Sequence, residues 1–293
     1  MNPLADPSAV ELTSEEAIAA AVVGVGTLAF GSFCFVFVLR LFRQGPRPDL
    51  TSDSSVVFLG LGAFFVLQWF AAMAAVLLVP FPDGTVTTSM ARVLAALFVA
   101  MPVQVALTGA AMLLGAAGMW RLPSLYGGDP IRAFGIGSLR RGFLTALAVA
   151  PFVYAAYFGI TLLWLLAMRA FGHVPESQTS VLLFAWLVEW RAWPSVIALL
   201  VMIVVVAPLV EELLFRGILY RNLATRFGPV LAAIVSGVFF GVIHMNWAGL
   251  LPLSALGIAL ALLYERTGNL WSSILLHAVF NAGQITALLI ALM

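Results

Sequence analysis

The chain has 293 residues, is 63% hydrophobic and 9% charged, and has a mean hydropathy of +1.09. Soluble domains are about half apolar and about a quarter charged, so this composition excludes a soluble globular protein and specifies an integral membrane protein. A net charge of +1 argues against a nucleic-acid partner.

The basic residues are all arginine, which reads as compositional bias. The single cysteine, Cys34, sits in an apolar stretch and allows no internal disulfide. The N-terminal segment carries Asp6, Glu11, Glu15 and Glu16 without a basic residue. It lacks the positive start of a cleavable signal peptide, so the first helix is expected to stay in the mature protein.

A helix crosses about 30 Å of hydrocarbon in roughly 20 residues. Apolar runs of that length predict eight transmembrane helices, at 17–39, 56–79, 93–119, 142–168, 195–220, 229–244, 248–264 and 270–292. The expected fold is therefore all-α, a polytopic membrane helix bundle. The run 181–188 is too short to span, and Trp186, Trp190 and Trp193 around it suggest an interfacial helix. No internal repeat is visible. Residues 1–135 form three N-terminal helices of no assigned role, and residues 136–293 form the core of one continuous membrane domain.

Arginine placement sets the expected orientation. Arg40, Arg43 and Arg47 follow the first span, and Arg121, Arg132, Arg140 and Arg141 follow the third. Arg221 and Arg226 follow the fifth and Arg266 the seventh, whereas the opposite side receives Arg92, Arg169 and Arg191. This bias puts the N-terminus outside and the odd-to-even loops in the cytoplasm, as in a bacterial inner membrane.

The fifth span is the unusual one. Residues 196–207 contain no ionisable group, and then Glu211, Glu212 and Arg216 arrive within six positions. One charge near the bilayer centre costs about 2.5–3.5 kcal/mol, so three together need partners or a task. Glu212 and Arg216 are one helical turn apart and can pair, while Glu211 points about 100° away. Pro208, one turn earlier, should free a carbonyl or bend the helix, which survives in a membrane only where protein or a wet cavity satisfies the backbone. In the sixth span Gly237 and Gly241 form a small-xxx-small pair that allows close helix approach.

Further polar groups at membrane depth are few. His244 ends the run from Phe239 and Phe240, and His277 and Asn281 lie one turn apart on a shared face of the last span. The chain has three histidines; His173, the third, reads as a solvated loop residue. Glu211, His244, His277 and Asn281 come from three spans and should all turn toward the bundle interior. A carboxylate and an imidazole can hold a water and take its proton, and a second imidazole with an amide can donate to an oxyanion.

Glu-Glu-x-x-x-Arg (Glu211, Glu212, Arg216), Phe-x-x-x-His (Phe240, His244) and His-x-x-x-Asn (His277, Asn281) follow one another on successive apolar spans. In this they resemble the CAAX-protease and bacteriocin-processing family of intramembrane proteases, over roughly residues 140–290. Eukaryotic members cleave the last three residues from prenylated CAAX proteins, and bacterial members include bacteriocin-maturation and self-immunity proteins. The resemblance implies that Glu211 and His244 activate the water and that His277 and Asn281 support the oxyanion, with Glu212, Arg216 and Phe240 supporting. It implies a membrane-embedded or lipidated peptide as substrate, met near the cytoplasmic half of the bilayer. It favours a metal-free glutamate mechanism; the alternative is a divalent metal, zinc, held by Glu211, His244 and His277. The local His-Glu-x-x-His spacing that fixes two ligands on one turn is absent.

Two other classes use the same residues: a transporter with a Glu/His proton or ion relay, and a non-catalytic immunity or scaffold protein. One geometric problem stands out. A sixth span starting near Pro229 puts His244 ~16 residues along it, or about 24 Å at 1.5 Å per residue, well above a Glu211 placed toward the cytoplasm.

Overall fold

The computed structural model describes residues 90–125, 128–172, 193–244 and 246–291, with 62 and 67 as isolated positions. The predicted spans 17–39 and 56–79, Cys34, His173 and the interfacial helix 181–188 lie outside these described residues, apart from those two positions.

Every regular element among the described residues is helical. In chain order they are α1 (Met90–Leu125), α2 (Pro130–Ala133) and α3 (Leu139–Ala170). Five consecutive segments then run on as one helix, α4, residues 193–227. The last three are α5 (Pro229–Ile243), α6 (Leu250–Thr267) and α7 (Leu270–Ala291). α1, α3, α4, α6 and α7 each hold a stretch long and apolar enough to cross a membrane. The protein is a polytopic helical membrane bundle.

α5 corrects the sixth predicted span. Its 15 residues extend only about 22 Å, short of a full crossing. α4 corrects the fifth, because it continues past Tyr220 through Arg221 and Arg226 to Phe227. Gly228, at φ 77°, then turns the chain, and Pro229 opens α5 where its missing N–H costs nothing. These two corrections remove the depth problem. Glu211 lies 16 residues before Phe227 and His244 lies 16 residues after Gly228, so the two arms of the hairpin bring them to a similar level.

α5 packs most extensively on α6, and small residues are the reason. A Cβ on Gly237 would stand 2.6 Å from the backbone nitrogen of Ile258, and one on Gly257 would stand 2.8 Å from the Gly237 Cα. The two backbones are in direct contact, as in other small-xxx-small crossings. Gly237→Val is therefore expected to push α5 off α6, at a cost of about 3 kcal/mol or more. A thermal melt of the detergent-purified protein should show Tm falling by roughly 6–12 °C. An unchanged melt would mean that the crossing is looser than described.

The loop after α2 closes the other end. Ser138 caps α3 by accepting from the Arg141 N–H, and Asn269 donates to the Ser138 carbonyl while accepting from the Gly137 N–H. The Leu270 N–H bonds the Gly135 carbonyl, the Tyr264 hydroxyl donates to the Phe134 carbonyl, and Arg221 reaches the Ala133 carbonyl. This clasp joins the start of α3 to the α6–α7 turn and sets α3 alongside α7.

Candidate active site

α4 is not a uniform α-helix. Met202–Val206 and Leu213–Tyr220 adopt the wider π form, and between them the α-turn Ala207–Glu212 carries both glutamates. Such π segments inside α-helices are frequent at functional sites. In the first of them the Ala207 N–H bonds the Met202 carbonyl, five residues back. The Asn281 side-chain amide donates to the next carbonyl, that of Ile203, at 2.9 Å.

Glu212 is fully buried, and its Oε1 is a shared acceptor. Arg216 Nη1 donates to it at 2.7 Å and His277 Nδ1 lies 3.0 Å away. Arg216, 1% exposed, also donates from Nη2 to the Gly257 carbonyl on α6 at 2.8 Å. The planar guanidinium thus spans a carboxylate on its own helix and a backbone oxygen on another, a task suited to its fixed fork of donors. Sequence reasoning pairs Glu212 with Arg216; the link to His277 is additional and has a chemical consequence. An ionised carboxylate only accepts, so Nδ1 of His277 carries the proton. His277 then turns Nε2 toward Glu211, whose Oε2 is 3.9 Å away.

The second imidazole is fixed in the same sense. His244 Nδ1 lies 2.7 Å from the Phe240 carbonyl, which can only accept, so Nδ1–H donates and Nε2 keeps the lone pair in the neutral ring. The Phe240 ring sits among the charged and polar groups. Its centroid is 4.7 Å from that of His244 and 5.5 Å from that of His277, with the Arg216 guanidinium carbon 5.0 Å away. Phe240 is therefore the apolar spacer that brings the two histidines to one place. Burial is graded across the group: Glu212, Arg216 and His277 are sealed, Glu211 is partly open and His244 is exposed.

Glu211, Glu212, Arg216, His277, Phe240 and His244 thus form one connected cluster. Asn281 stands apart from it, with its amide on the Ile203 carbonyl. Among the described residues no group of three His, Cys, Asp or Glu side chains is placed to hold a metal ion. Tyr154 on α3 is a neighbour that motif spacing misses. Its hydroxyl lies 2.7 Å from the Phe280 carbonyl and 2.9 Å from that of Val279, on the turn between His277 and Asn281. Gly283 leaves room for it, since a Cβ there would overlap the tyrosine oxygen. The signal available in sequence was a tyrosine hydroxyl at membrane depth, which needs an internal partner, but Thr145, Tyr157 and Thr161 on the same span carry hydroxyls too.

Residues 191–283 match the family described as Type II CAAX prenyl endopeptidase Rce1-like. This stretch holds every residue of the three motifs. Over 77 residues the chain is 35% identical to the Bacillus subtilis (strain 168) protein described as "Putative membrane peptidase YdiL", covering 26% of this chain and 32% of that protein. Over 92 residues it is 35% identical to the Escherichia coli protein described as "Uncharacterized 24.3 kDa protein", covering 30% of this chain and 42% of that one. The chain therefore spans less than half the length of either curated relative. No solved structure matches it.

Proposed function

We propose that the protein is an intramembrane endopeptidase that hydrolyses a peptide bond of a membrane-associated or lipidated substrate. The N-terminus would lie outside. The observation that carries this reading is the Glu211–His277 approach at 3.9 Å, with each imidazole backed at Nδ1 by an acceptor. A partly open carboxylate beside one imidazole, with a second imidazole packed on the shared Phe240 ring, supplies the kinds of group that water activation needs.

In this mechanism a water donates one hydrogen bond to Glu211 and another to His244 Nε2. As its oxygen attacks the substrate carbonyl, one proton passes to Glu211, and the tetrahedral oxyanion forms near His277. His277 in its protonated form donates from Nε2 to that oxyanion while Nδ1 stays on Glu212, so Glu212 balances the charge. Glu211 then returns its proton to the leaving nitrogen as the C–N bond breaks.

The match to the prenyl endopeptidase family supports a prenylated C-terminal segment as the first substrate to try. The purified protein, incubated in detergent with a peptide carrying a farnesylated cysteine followed by three residues, is expected to release the terminal tripeptide, read by mass spectrometry. One oxygen-18 atom from labelled water should enter the new carboxylate, and a chelator should leave the rate unchanged. An intact peptide, together with intact non-prenylated hydrophobic peptides, sinks the protease reading. Ion flux in proteoliposomes would then favour the relay, and its absence the scaffold. A rate abolished by the chelator and restored by zinc would overturn the metal-free mechanism alone.

A further inference from the structure

Helix α4 has a backbone defect just before its glutamates, and a residue of α7 fills it. In the π register of Met202–Val206 each N–H reaches back five residues, as Ala207 does to Met202. The next donor in that register would serve the Ile203 carbonyl, and it belongs to residue 208. That residue is proline and has no N–H. The side-chain amide of Asn281 donates to that same carbonyl at 2.9 Å. In a membrane an unmet carbonyl at this depth is costly, so the replacement donor has a stabilising task of its own.

We infer that Asn281 is a positioning residue: its amide stands in for the N–H that Pro208 lacks, and thereby locks the turn bearing Glu211 against the helix bearing His277. The geometry is economical. Pro208 lies three residues before Glu211, and His277 lies one turn before Asn281 on α7. One hydrogen bond therefore fixes the height of α7 against α4 within a turn of both reacting groups. An amide already committed to a backbone carbonyl is not aimed at the oxyanion, so this role replaces the oxyanion duty that the motif implies for Asn281. The inference rests on the endopeptidase reading for its activity consequences and stands independently of it for stability.

The test is a rescue. Pro208→Ala gives residue 208 an N–H again, so the Ile203 carbonyl no longer depends on Asn281. Four full-length proteins are compared in detergent: wild type, Asn281→Ala, Pro208→Ala and the double variant. Asn281→Ala is expected to lower Tm by roughly 2–6 °C. On the farnesylated peptide it should cut kcat by about tenfold to a hundredfold with KM little changed, as misplacement of a reacting group does. Pro208→Ala should stay near wild type, and the double variant should regain most of both losses. If Asn281→Ala does not fold, recovery of folded protein in the double variant is the same rescue.

A double variant as damaged as Asn281→Ala in both readouts overturns the inference. So does a restored melt with kcat still low, which would return Asn281 to the reacting atoms. Should wild type cleave no peptide, the endopeptidase reading fails, and the melts alone still decide whether Asn281 replaces the missing N–H.

Discussion

Glu211→Gln should abolish turnover and leave the fold intact. The substitution keeps the shape of the side chain and removes its basicity, so the water loses its proton acceptor. General-base removal costs about 10²–10⁴-fold in rate, and kcat on the farnesylated peptide is expected to fall at least that far. Stability should barely move, because Glu211 reaches α7 through a long, partly open approach to His277 rather than a buried hydrogen bond. Arg216 is bonded to Glu212 and to Gly257, and Glu211 is partly open, so an uncharged amide there weakens only the 3.9 Å approach to His277 and leaves the buried ion pair whole. A melt within about 2 °C of wild type beside a rate near background is the expected pair of results. Wild-type turnover in this variant would remove Glu211 from the mechanism.

That separation between neighbouring carboxylates could be read only in part from the chain itself. The helical period places Glu212 beside Arg216 and turns Glu211 away, and the structure has the 2.7 Å ion pair. The period says nothing of what a third helix brings. Contact between His277 Nδ1 and Glu212 depends on how α7 meets α4, a tertiary fact that no local spacing encodes. The spans at 142–168, 248–264 and 270–292 correspond to α3, α6 and α7, because a long apolar run is a direct record of bilayer thickness. The sixth span failed for the same reason inverted. The helix is apolar and exposes Val230, Leu231, Ile234, Val235, Val238 and Val242 as a spanning helix would, and only its 15-residue length sets it apart. The π turns were hidden as well. Pro208 announces a missing hydrogen bond, yet the sequence does not state whether the helix kinks, breaks or widens around it. Asn281, 73 positions away, is the group that meets the freed carbonyl, and its motif suggested a different duty.

Arg216→Leu is expected to be the most damaging single change in stability. The side chain is sealed, and its two arms hold Glu212 on α4 and the Gly257 carbonyl on α6. Removing it leaves a fully buried carboxylate whose charge faces only His277, and an interhelical backbone oxygen without its donor. Breaking a buried ion pair from one side costs about 3–5 kcal/mol. Total stability is commonly about 5–15 kcal/mol, so folded protein should be largely lost from membranes, measured by size-exclusion chromatography of detergent extracts. Arg216→Lys should not rescue it, since a single ammonium cannot replace a planar fork serving two acceptors. Glu212→Gln added to Arg216→Leu removes the stranded charge and should recover folded protein. It should not recover turnover, because an amide cannot balance a protonated His277 as the oxyanion forms. Assembly and catalysis would then separate within one pair of residues: Arg216 is needed to keep Glu212 buried, and Glu212 at His277 Nδ1 balances the charge of the imidazolium that donates to the oxyanion. A double variant that turns over at the wild-type rate would leave Glu212 as a packing residue and nothing more.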